Sequence, residues 1–199
     1  KPQEFVASTS GAQSVGVFLV KAPWGPLLMS AEVAAPQRKA VARARYGLTP
    51  PFSMGGRVTL SDLLFYKPHG HFPESVEEAA PHAYPTERLR ADTKLGVYWE
   101  SYGTDPAGEK LSVSLTVVKE VAESGFLRRQ PRSLSAVRQA TPVIVTVQDM
   151  SALGTNVSRR ALEVDISTLK KGSYIVQLEI SVAGQFVVRA DHRIEVTGP

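Results

Sequence analysis

His69, His71 and His82 are the residues of this sequence whose type and spacing best suit a metal ion. On an extended chain, residues two apart share a face, so His69 and His71 would point the same way. Imidazole suits zinc, nickel and copper. His82 follows after Glu74, Glu77 and Glu78, and a catalytic zinc takes three protein ligands with a fourth position open. The same pattern also fits a solvent-exposed loop that happens to contain histidines. A second candidate is Glu100, set between Tyr98 and Tyr102 in the stretch GVYWESYGT. A carboxylate among aromatics can serve as a general acid or base if burial shifts its pKa. The alternative is a β-strand whose tyrosines bury their rings and wet their hydroxyls. Ser61-Asp62 offers a hydroxyl beside a carboxylate, but no G-x-S-x-G elbow surrounds it. A bend at a strand start, with the pair bridging backbone groups, explains it equally well.

Other chemistries are excluded or thin. There are no cysteines, hence no disulfide, no thiolate zinc site and no cysteine nucleophile. Gly55-Gly56 is not followed by the lysine of a phosphate-binding loop, and there is no G-x-G-x-x-G. The net charge is +4. Basic residues concentrate in two stretches without acids, one holding Arg38, Lys39, Arg43, Arg45 and Arg57, the other Arg128, Arg129, Arg132 and Arg138. Such patches suit an anionic partner or lipid headgroups. Nucleic-acid binding would want aromatics interleaved with the arginines, and only Phe126 accompanies the second group.

The elements that must position these residues are strands. Val15–Val20 and Leu27–Val33 flank Pro23-Trp24-Gly25-Pro26 and predict a hairpin. Ala40–Tyr46 places Arg43 and Arg45 on one face, leaving the other to pack inward; helix is the alternative there. Arg57–Tyr66 predicts one strand. A proline-rich connection follows, with a short helix over Glu74–Ala80 and Pro73 as its first-turn proline. In Leu95–Tyr102, Val97 and Trp99 face the core. Leu111–Val118 alternates apolar and polar strictly, and Asp105–Gly108 predicts a hairpin loop before it. Gly125–Thr141 lacks a period and predicts a loop. Strands follow at Pro142–Val147, Ala161–Ile166, Ser173–Val182 and Phe186–Val196, the last two as a hairpin. Turn signals every 8–12 residues and no strong helix between strands predict an all-β fold, an immunoglobulin- or fibronectin-like antiparallel β-sandwich. Residues 57–199 form that sandwich, and residues 1–56 form a hairpin lobe or complete the same sandwich.

The pieces Leu60–Leu64, Leu95–Gly103 and Leu162–Tyr174, in that order, resemble the C-terminal region of GWxTD-domain proteins of Gemmatimonas-like bacteria. The resemblance covers about residues 57–199; the GWxTD pentapeptide itself is not in this chain. It implies a β-sandwich of an envelope protein, periplasmic or extracellular and peripheral to the membrane, with no established activity. The expectation is therefore a non-catalytic structural or accessory subunit, without a cofactor, that contacts other proteins of an envelope- or membrane-associated assembly. Trp24 on its loop tip and Arg128, Arg129, Arg132 and Arg138 are the expected contact residues. Two other expectations are a metal-binding module or metal-dependent enzyme using His69, His71 and His82, and a carbohydrate-binding module using Trp24, Tyr98 and Tyr102 as stacking platforms.

Overall fold

The computed structural model describes residues 20–23, 25–35, 37, 39–49, 57–91, 94–105, 107–108, 110–120, 143–150 and 154–198. Among them, alternation decides which strands carry the core. In β7 (Lys110–Lys119), Leu111, Val113, Leu115 and Val117 are buried while Ser112, Ser114 and Thr116 are half-exposed. In β10 (Gly172–Val182), Tyr174, Val176, Leu178, Ile180 and Val182 are buried in the same way. A period of two puts all of these on one face.

Two sheets face each other across that core. The first has five strands in the order β5 (Arg88–Arg90), β11 (Val188–Thr197), β10, β7 and β8 (Val143–Met150). It is antiparallel except where β5 runs parallel to β11. The second is built on β6 (Lys94–Tyr102), with β9 (Val157–Asp165) along one side and the short β3 (Thr59–Leu60) and β4 (Leu64–Tyr66) along the other. Leu95, Val97 and Trp99 of β6 meet Leu115, Val176, Leu178 and Ile194 of the opposite sheet in one hydrophobic cluster. The chain is an all-β sandwich.

Four local expectations are corrected. Arg57–Tyr66 is not one strand, because Ser61 interrupts it. The Ser61 hydroxyl accepts from the Glu100 amide at 2.9 Å, and the Ser61 amide donates to the Glu100 carbonyl at 2.9 Å. A side chain thus takes a place in the ladder, and regular pairing resumes only at Leu64. Asp105–Gly108 does not close a hairpin, because β6 and β7 belong to different sheets. Gly103, at the end of β6, has φ +78° and lies against the Arg57 carbonyl. The helix α1 is only Val76–Ala79, and its N-cap is Ser75, whose hydroxyl accepts from the Glu78 amide at 3.2 Å; Pro73 lies before it. Tyr98 is not half-exposed but 2% exposed, since Tyr66, Ala79, Leu64 and Val76 cover the outer face of β6.

That outer cover explains Gly96. The Tyr66 ring lies directly on it, where a Cβ would overlap the ring carbons. Gly96→Ala is expected to push the ring out at a cost of about 1–3 kcal/mol. A thermal melt indistinguishable from the parent would show that the ring yields freely.

Outside the sandwich, β1 (Leu27–Ala35) and β2 (Ala40–Leu48) form a two-stranded sheet of their own. The strand over Ala40–Leu48 excludes the helix alternative. The partner of β1 is β2, paired over nine positions from Leu27↔Leu48 to Ala35↔Ala40; residues 15–19 of the expected hairpin lie outside the described residues. The register puts Leu27, Met29, Ala31, Val33, Ala35 and their partners Leu48, Tyr46, Ala44, Ala42 and Ala40 on one face. Ser30, Glu32, Arg43 and Arg45 lie on the other, where Arg43 and Glu32 pair at 2.7 Å. The apolar face does not pack inward as expected: Val33 is 69% exposed and Tyr46 54%.

Candidate functional site

The connection from β4 to β5 is pinned at its base. The Lys67 amide donates to the His82 carbonyl and the Tyr84 amide to the Phe65 carbonyl, both at 2.9 Å, and Tyr66 bridges Ala83. A 3-10 turn, Ala80–His82, brings the chain back, closed by the Ala83 amide on the Ala80 carbonyl at 3.1 Å. Ala79 and Ala80 are buried beneath it. This closure returns His82 to the point where His69 leaves the sheet.

The three histidines therefore meet. The His69 and His82 rings stack with centroids 3.8 Å apart and planes within 12°. His71 approaches His69 edge-on at 4.6 Å, and Tyr66 flanks His69 at 6.3 Å. Gly70, between the first two histidines, has φ +106°, so the rings meet through a kink and not through strand alternation. His71 and His82 are exposed and His69 is half-buried. Nδ1 of His69 and the hydroxyl of Tyr66 are enclosed with no hydrogen-bond partner. As the rings stand, their nitrogens do not converge, because in-plane lone pairs of stacked rings run in parallel planes. Among the described residues, no group of three histidine, aspartate or glutamate side chains is set to hold an ion.

Glu100 is a saturated carboxylate. One oxygen accepts from Tyr98 at 2.8 Å and from Arg159 Nε at 3.1 Å, and the other from Tyr102 at 2.5 Å. Arg159 arrives from β9, directly across the ladder from Glu100. Burial pushes the Glu100 carboxyl up, but the hydroxyls of Tyr102 and Tyr98 and the Arg159 guanidinium together hold it below its usual value. Burial, and then the bond to Glu100, raise Tyr102 to about 12; the same causes raise Tyr98 above its usual value. A carboxylate held anionic with three donors is a poor base, and its hydrogen bonds tie β6 to β9. Tyr98 is inside the fold and is no stacking platform for a sugar.

Two open grooves lie nearby. The larger, about 510 Å³, runs between Phe72, Glu74, Val157, Arg159 and Arg160. The smaller, about 210 Å³, lies between Phe65, Tyr84, Glu87 and His192. His192 packs its ring on the edge of Phe65 at 4.8 Å and sits 3.6 Å from Glu87. Neither groove gathers a nucleophile, a base and an oxyanion donor. Ser61 is spent in the backbone ladder and donates to the Asp62 carbonyl at 2.8 Å. Trp24, Arg128, Arg129, Arg132 and Arg138 lie outside the described residues.

No family model matches the chain, and no curated protein matches it. Among solved structures, it is similar to the soluble domain of PmoD from Methylocystis, at 11% identity and a TM-score of 0.38, covering 72% of this chain and 95% of that one. It is similar to the C-terminal domain of wzt at 13% identity and 0.38, covering 73% and 76%. It is also similar to a superoxide reductase (neelaredoxin) from Ignicoccus hospitalis at 13% identity and 0.34, covering 69% and 82%. At these scores the likenesses carry no argument about function.

Proposed function

We propose that the chain is a non-catalytic structural or accessory module that contacts other proteins of a bacterial envelope- or membrane-associated assembly, on the periplasmic or extracellular side. The observation that carries this reading is the β1–β2 hairpin. Ten residues of one face are apolar, and among them Val33 is 69% exposed, Tyr46 54% and Met29 and Leu48 45% each. An isolated two-stranded hairpin is marginal in water, and each large apolar side chain left wet forgoes about 1.5–3 kcal/mol of burial. A protein surface with an apolar groove would recover that energy, and the open strand edges offer it backbone pairing as well. The resemblance to GWxTD-type envelope proteins supports the location.

The test replaces the cross-strand pair Met29 and Tyr46 with glutamate and uses parent and variant as bait on native membranes in mild detergent. The parent is expected to recover a stoichiometric set of proteins. M29E/Y46E is expected to lose at least tenfold of it while the sandwich melts as before. Recovery of a lone chain in both cases, or an unchanged set with the variant, counts against the reading.

A further inference from the structure

We propose that His69, His71 and His82 form a binding site for one divalent late transition-metal ion of the zinc, nickel or copper class, completed by rotation of the exposed rings. The argument begins with what is already fixed. The backbone latch from Lys67 to His82 and the bridge from Tyr66 to Ala83 bring the loop ends together before any ligand arrives. The distance that separates His69 from His82 in sequence has been closed by the fold, so the ion does not have to order the loop. What remains is side-chain rotation about χ1 and χ2, which moves between ordinary staggered states.

The separations suit that rotation. Two imidazoles sharing one tetrahedral ion place their ring centres about 5 Å apart. His69 and His71 are at 4.6 Å with planes 75° apart, already close to such a pair. His69 and His82 at 3.8 Å must open by about 1 Å, and His82 is exposed and free to swing outward. The Nδ1 of His69 is enclosed and has no hydrogen-bond partner in the stacked arrangement. An enclosed imidazole nitrogen without a partner is a group that gains from a ligand. Three neutral nitrogen donors with no thiolate and no carboxylate in contact favour borderline ions over calcium or magnesium. Three protein ligands leave an open position, which water or a partner's side chain can fill.

The experiment uses the full chain without an affinity tag, stripped with chelator, and titrates zinc, nickel and copper(II) chlorides by calorimetry. One ion per chain is expected, with a Kd below about 10 µM for at least one of the three. Nitrogen-detected NMR is expected to show coordination shifts on three of the four histidines. His69→Gln and His82→Gln are each expected to weaken binding at least tenfold, while His192→Gln, outside the cluster, leaves it unchanged. Thermal melts of the ion-free variants separate loss of binding from loss of fold. The absence of saturable binding overturns the proposal. So does binding that His69→Gln leaves intact, or that all three histidine variants weaken equally.

Discussion

Trp99→Ala is expected to lower the unfolding free energy by about 3–5 kcal/mol, the range for emptying a large aromatic site in a packed core. Trp99 is 2% exposed and sits in the main cluster, on the central strand of its sheet. β6 is itself buried on both faces, so no flexible neighbour can fall into the space, and the cavity term is added to the lost transfer energy. Domains are stable by only about 5–15 kcal/mol, so this one change removes a large share. Trp99→Phe separates volume from polarity. The indole N–H of Trp99 finds no acceptor among the described residues, and phenylalanine removes that buried donor along with some volume. Its cost is expected to be clearly smaller than that of alanine. Urea unfolding of the three proteins measures both; equal losses for Ala and Phe would mean that the core collapses around whatever stands at 99.

Glu100→Ala is the second large effect, expected at about 2–4 kcal/mol near neutral pH. It strands the buried Tyr98 hydroxyl and removes the partner of Arg159. Acid should reproduce part of that loss in the parent. The folded carboxyl lies below its ordinary value of 4.5, so its contribution is fully present above about pH 4.5. It disappears as pH falls through the folded value. Glu100→Gln can still accept hydrogen bonds but has no charge to lose, so its stability should fall less between pH 6 and pH 3. If parent and Glu100→Gln lose stability in parallel over that range, other carboxylates govern acid unfolding and Glu100 does not.

How far these features were readable from the sequence depended on how local their causes were. Alternation in β7 and β10 exposed the core because period two is a property of neighbours. The inward direction of Trp99 followed from the same rule, as did the shared face of Tyr98, Glu100 and Tyr102. The contact of Tyr174 is local too: its hydroxyl donates to the Lys170 carbonyl at 2.7 Å, four residues away. Arg159 could not be found that way. It completes the Glu100 site through register between strands separated by 59 positions, and no spacing rule encodes that. The stacking of His82 on His69 was hidden for a related reason, since it depends on a bridge between Tyr66 and Ala83. The exposure of the β1–β2 face is not encoded at this level either. Patterning says only that a face is apolar, not that this chain covers it.

The pairing of strands also dictates an order of events as the chain forms. β6 finds its long partner in β9, and β7 finds its own in β10, each more than fifty residues later. The parallel edge strand at Arg88–Arg90 waits for residues 195–197. Early strands therefore emerge without most of their neighbours, and closure of these long loops precedes any reward from contacts. Assembly is expected to be slow and to start from the late hairpin β10–β11, whose two strands are close in sequence. Until that hairpin exists, β7 keeps one edge open even after β8 has emerged, with its apolar face uncovered, and it is then that the nascent protein is most exposed to wrong partners.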